Sequence, residues 1–184
     1  MSRGYSVAQT ARLVCGLRWA CGRLSEILGV WAQEAATAGA PHAAASVHLA
    51  ALSRRFAAHR EALEVLQPDS QLMASWREAA PADPALVAVL DTIAATEGPS
   101  ERLAVAVEVF VPQLSGVYEQ IGEHAAPHCD GALASAARAL RHDLDGGTAA
   151  AGTGQLGAVE AARRVLAAAG DLVGPDVLTP EEWS

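Results

Sequence analysis

Lysine is absent from this 184-residue chain, and all 13 basic residues are arginines scattered along it. Against 21 acidic residues they leave a net charge of −8. A nucleic-acid binder neutralises phosphates with clustered cations, so the charge balance argues against that partner. Aromatic residues are equally scarce, at 4%. A core with so few rings has to be filled by helices that approach one another closely. The three cysteines, Cys15, Cys21 and Cys129, are odd in number and show no CxxC spacing. That indicates neither a disulfide framework nor a zinc ribbon and makes the cytoplasm the expected compartment. No apolar run reaches the ~18 residues of a membrane span, and MSRGYSVAQTARLVCGLRW lacks the charged-then-apolar order of a signal segment. A soluble protein with no membrane partner is therefore expected. No segment shows the β-branched alternation of a strand.

What the chain does have is alanine and helical periodicity. Hydrophobic residues make up 51% of it, and its length suits one domain over residues 1–184 that buries roughly two-thirds of its unfolded surface. Val14, Leu17, Cys21, Leu24, Leu28 and Trp31 recur three and four apart, predicting a long helix from Ser6 to Ala38. Gly39 to His42 forms the turn. A second helix, His42 to Leu66, carries Leu49, Leu52, Phe56, His59, Leu63 and Leu66 on one stripe, and Pro68 stops it.

Residues 67–99 then read as a long connection with a small helix of its own. Ser100 or Pro99 opens a third helix striped by Leu103, Val107, Phe110, Leu114, Val117 and Ile121, which Pro112 should bend. Pro127 ends it, and Asp130 is the expected N-cap of a fourth helix carrying Leu133, Ala137, Leu140 and Leu144. A glycine-rich linker, 145–157, leads to a short fifth helix and a tail over 158–184. The class is all-α, with four main helices in an up-down bundle over about 6–146.

Two conspicuous motifs read as bland. Gly152, Gly154 and Gly157 spell GxGxxG before a helix, but dinucleotide binding needs a preceding strand that is missing. EHAAPHCD, from Glu123 to Asp130, gathers potential metal ligands. The proline, however, breaks the shared helical face that His124 and His128 would need, which leaves a zinc site at the corner as the minor alternative. No glutamate has a histidine three residues on, so the Glu-x-x-His pairs of di-iron bundles are absent.

LRWACGRLSEILGVW, AAHREALEVLQP and EGPSERLAVAVEVFVPQL resemble, in order and spacing, actinobacterial ferritin-like bundle proteins over about residues 10–145. The resemblance implies a ferritin-like bundle with a long crossover after the second helix. It also implies that Cys21 and Ile121 stand where relatives carry metal ligands, so that no metal or other cofactor is expected and the scaffold is repurposed. The absence of lysine beside abundant alanine and glycine suits a GC-rich bacterial source.

Level counting indicates what replaces the metal. Cys21 and His59 each lie about nineteen positions from the turn and should be neighbours in the core. Ser115 and Tyr118 fall at that level on the third helix. The fourth helix, mirrored about Pro127, offers Arg138 and Arg141, with His142 and Asp143 a turn away. His59 sits in an apolar stripe and needs partners for both nitrogens, since burying an unpaired polar group costs a few kcal/mol. The plain reading is a core histidine bonded to a neighbouring hydroxyl or carbonyl; the sharper one makes it the proton-transfer residue, with Tyr118 or Arg138 stabilising charge. Cys21, Trp19, Phe56, Leu114, Ser115 and Arg138 are the expected lining of a pocket for a small, partly apolar molecule.

The functional expectation is a non-redox acid/base enzyme, of the isomerase, cyclase or lyase type, in bacterial secondary metabolism. Two alternatives remain: a non-catalytic binding or interaction bundle, with a second copy of the chain as one candidate partner and VLTPEEWS as one candidate surface, and an oxygenase-like metal site built from Glu26, His59, His142 and Asp143. The sequence leaves open whether the chain is catalytic. Glu26 is expected to pair with Arg23 at the surface, and His142 with Asp145 to form a solvated helix end.

Overall fold

The computed structural model describes residues 4–126, 128–146, 156–174 and 178–180. Among them are seven α-helices and no strand: α1 (Val7–Thr37), α2 (Ala43–Glu64), α3 (Ala85–Ala94), α4 (Pro99–Val105), α5 (Val111–His124), α6 (Gly131–Asp145) and α7 (Leu156–Ala168). Short 3₁₀ segments add Ala40–His42 and Gln71–Trp76. Pro127, most of the glycine-rich linker with Gly152 and Gly154, and most of VLTPEEWS with Trp183 lie outside the described residues. No helix among those described is long and apolar enough to cross a membrane.

α1 begins where Ser6 and Gln9 cap each other: the Gln9 amide donates to Ser6 Oγ and the Ser6 amide to Gln9 Oε1, both at 3.1 Å. All six residues of its expected stripe are buried. α1 and α2 pack antiparallel, as shown by Ser46 donating to the Ala32 carbonyl and by a reciprocal clasp further along. There, each hydroxyl of Ser25 and Ser53 donates to the other residue's carbonyl at 2.8 Å. Small side chains at these positions bring the backbones near enough for the exchange, which is what an alanine-rich, ring-poor core requires.

After α2, the connection folds along α1. Arg18 donates to the Arg77 carbonyl at 2.8 Å, and the Trp31 indole to the Ala94 carbonyl at 3.0 Å. Gly98, at φ 83°, turns the chain in a conformation that favours glycine, and Pro99 opens α4 at its first turn. Glu34 pairs with Arg102, Trp31 stacks on Phe110 at 6.0 Å, and Cys21 faces Tyr118. The α4–α5 rod therefore runs against α1 and alongside α2. α6 returns antiparallel to α5, with Glu119 paired to Arg141 at 2.8 Å.

The bend expected at Pro112 takes the form of a π-helical turn, Ala106–Phe110, between α4 and α5. Proline has no N–H to give the Glu108 carbonyl four residues back. The Val111 amide instead reaches the Ala106 carbonyl, and Arg163 of α7 donates to the Glu108 carbonyl at 3.0 Å. The short fifth helix of the sequence reading thus covers the breach. Beyond α7 the chain comes back toward α1: the Tyr5 hydroxyl donates to the Leu178 carbonyl at 2.7 Å and Gln9 Nε2 to the Thr179 carbonyl at 3.2 Å.

Candidate functional site

The four main helices meet in one hydrogen-bonded line. Cys21 of α1 lies 3.6 Å from the Tyr118 hydroxyl of α5, which lies 3.1 Å from His59 Nδ1 of α2. His59 Nε2 is 3.0 Å from Asp143 Oδ2 of α6, and Arg55 Nε reaches the same oxygen at 3.0 Å. One assignment of protons satisfies every group. Ionised Asp143 can only accept, so His59 carries its proton on Nε2 and leaves Nδ1 to accept from Tyr118. The Tyr118 oxygen then accepts from the Cys21 thiol. Donation runs one way, from the buried thiol to the surface carboxylate.

Burial sets the electrostatics. His59 is 2% exposed and Asp143 51%. Desolvation lowers the His59 pKa below its ordinary 6.5, opposed by the Asp143 hydrogen bond and charge. Desolvation raises Tyr118 well above 10 and pushes Cys21 up to about 12. The line is therefore neutral from Cys21 to His59 at physiological pH, with its single charge pair, Asp143 and Arg55, at the outer end.

Several expected site residues stand here. Phe56 packs its ring 6.3 Å from His59, and Leu114 is fully buried on α5. Ser115, next to Leu114, is partly buried, and no hydrogen bond among the described residues joins it to this line. Trp19 lies elsewhere, on a surface cleft with Arg18 and Arg23. Arg138 is a correction: it is exposed and lies along Gly122 of α5. The reason is register. Glu119 meets Arg141 and Gly122 meets Arg138, so α5 and α6 mirror about residue 130 rather than 127, which brings Asp143 to His59 in place of Arg138. Arg55, unforeseen in the sequence, sits four residues before His59 and so shares its helical face.

Glu26 pairs with Arg23 at 3.1 Å on the surface, and His142 and Asp145 are exposed at the end of α6. Glu26, His59, His142 and Asp143 do not converge, and no group of three potential ligands among the described residues is placed to hold a metal ion.

The EHAAPHCD corner has a structural occupation. Asp130 precedes α6 but does not cap it with its side chain. Its Oδ2 instead accepts the amides of Tyr5 and Ala126, both at 3.0 Å. Gly4 is bare because a Cβ there would stand 2.5 Å from both Ala126 Cβ and Asp130 Oδ2. His128 and Cys129 are exposed, and His124 bonds the Gln120 carbonyl one turn back.

Of five surface hollows formed by the described residues, none is lined by Cys21, His59, Tyr118 or Asp143. The most apolar of the larger ones, about 370 Å³, lies at the bundle end between the start of α1, the end of α2 and the start of α6. Val7, Val65, Leu66, Pro68, Ala132 and Leu133 form its apolar wall, and Tyr5, Thr10, Cys129 and Asp130 complete the lining. Comparison with protein-family models, characterised proteins and solved structures gives no match to this chain.

Proposed function

We propose that the chain is a ferritin-like bundle that binds a small, partly apolar molecule in the hollow at its end. Two antiparallel helix pairs joined by one long crossover, with α4–α5 running alongside α2, support the ferritin-like reading. The observation that carries binding is the hollow itself: about 370 Å³, walled largely by aliphatic side chains with Tyr5, Thr10, Cys129 and Asp130 as its polar members, is the usual form of a small-ligand site. Val7 and Val65 are 61% and 86% exposed there, although no packing partner among the described residues covers them. A neutral naphthylamine dye should bind one-to-one to the native protein, and Val7→Glu with Val65→Glu should weaken it at least tenfold at unchanged helix content. Equal binding by the double variant would remove the proposal.

A second reading keeps the acid/base enzyme, and the Tyr118–His59–Asp143 line favours it. A neutral imidazole between a phenol and a half-exposed carboxylate can pass a proton from the core toward solvent. A substrate would have to separate Tyr118 from His59 to use it. Turnover of any substrate surviving His59→Ala would sink this reading.

A further inference from the structure

Over the π turn, between α5 and the segment that follows α7, lies a hollow of about 380 Å³ whose polar lining is Glu108, Gln113, Gln120, Arg163 and Asp171. A π turn interrupts a helix and recurs at functional sites. All five residues are half-buried or exposed, so their side chains can be reached from solvent. Gln113, Gly116 and Gln120 recur at intervals of three and four along α5, which sets two amides on either side of a bare glycine. Neither amide side chain bonds another described residue.

Gly116 is unlike the interior glycines of α1. Gly16, Gly22 and Gly29 are bare because Ala82, Arg60 and Ser53 stand 3.2, 3.3 and 3.4 Å from where a Cβ would be. At Gly116 no neighbouring group comes within 4 Å of that point. Glycine inside a helix is less stable than alanine, and no packing in the protein calls for it here. Close approach of a ligand to the backbone is what such a glycine serves.

Across from α5, Gly170 and Asp171 turn the chain at φ 78° and 60°. Asp171 is the one non-glycine residue of positive φ among those described, and no cation among them pairs with its carboxylate. Arg163 is committed to Glu108, donating from Nη2 to its carbonyl at 3.0 Å and standing 3.8 Å from its carboxylate. Two carboxylates against one guanidinium leave the hollow with one negative charge unmatched.

We propose that this hollow binds a small hydroxylated monoamine of the amino-sugar type. The ammonium pairs with Asp171, the hydroxyls exchange hydrogen bonds with the Gln113 and Gln120 amides, and the C–H face of the ring lies on Gly116 beside Pro112 and Val117. A single ammonium matches the single unmatched carboxylate. Primary amides, each both donor and acceptor, suit hydroxyls better than a second charge. This site is independent of the hollow at the bundle end.

The test is calorimetric titration of the intact protein with glucosamine, and separately with glucose, which lacks the amine, and cyclohexylamine, which lacks the hydroxyls. Saturable one-to-one binding of glucosamine is expected, at least tenfold tighter than either control. It should weaken at least tenfold in Gly116→Met, whose side chain fills the hollow while removing a helical glycine, so that helix content is kept. Asp171→Asn, a residue that tolerates the same positive φ, should weaken it equally. No saturable glucosamine binding, glucose or cyclohexylamine binding as tight as glucosamine, or undiminished affinity in either variant would each overturn the assignment.

Discussion

Cys21 and His59 meet at a single atom, the Tyr118 hydroxyl, which the thiol approaches to 3.6 Å and the imidazole to 3.1 Å. Neither residue has another buried polar partner toward the core, so the phenol oxygen joins α1 to α2 through α5.

Tyr118→Phe removes that junction and leaves His59 Nδ1 buried without a donor, at an expected cost of about 1–3 kcal/mol. His59→Leu alone leaves the Tyr118 hydroxyl only the weak Cys21 sulfur as a partner. The double variant replaces both partners by apolar groups and should be less destabilised than the sum of the singles by about 0.5–3 kcal/mol. Urea unfolding of the four proteins measures this, and additive losses would show that the two groups do not act as a pair.

Burial holds His59 neutral by lowering its pKa from 6.5. The unfolded chain then takes up the proton first on acidification. Stability from this group is full above about pH 6.5 and falls below it, by at most about 1.4 kcal/mol per pH unit. His59→Gln should flatten the stability profile between pH 5 and 7. An unchanged slope in that variant would assign the acid sensitivity to other groups.

Thiol accessibility should separate the three cysteines. Cys21, buried and pushed up to about 12, and buried Cys15 should resist alkylation at pH 8 until the protein unfolds, whereas exposed Cys129 reacts at once. Mass spectrometry after a timed pulse of iodoacetamide reads the difference, and early labelling of Cys21 would mean that the helices around Tyr118 open readily.

Pro112 is exposed, and the Glu108 carbonyl that it leaves without an amide is served by Arg163. Pro112→Ala restores an N–H and should return part of the ~3 kcal/mol handicap of an interior proline, for a gain of about 1 kcal/mol. Arg163→Ala should then cost less in the Pro112→Ala background than alone. A loss of stability on Pro112→Ala would show that the proline ring holds the turn.

The helices were legible because an apolar stripe at spacings of three and four has few alternative explanations, and all of α1's stripe is buried. Cys21, His59 and Tyr118 were legible as neighbours for a geometric reason: a short turn fixes the level of two antiparallel helices. The fourth helix was placed at the wrong level because its level depends on the corner. There Asp130 spends its carboxylate on the amides of Tyr5 and Ala126, and α6 starts at Gly131. That contact spans 125 residues and leaves no mark in local spacing. Arg55 was hidden for the opposite reason: as a charged residue beside an apolar stripe it reads as solvated surface, and only the arrival of Asp143 gives it a role. The hollow at the bundle end, likewise, is made by three helix termini far apart in sequence.

The bonds from Tyr5 to Leu178 and from Gln9 to Thr179 carry a consequence for how the molecule comes apart. Chain ends ordinarily loosen first and independently. Here the opening stretch of α1 and the segment after α7 hold one another, so peeling either away releases both. The bundle closes on itself like a belt whose two ends share one buckle.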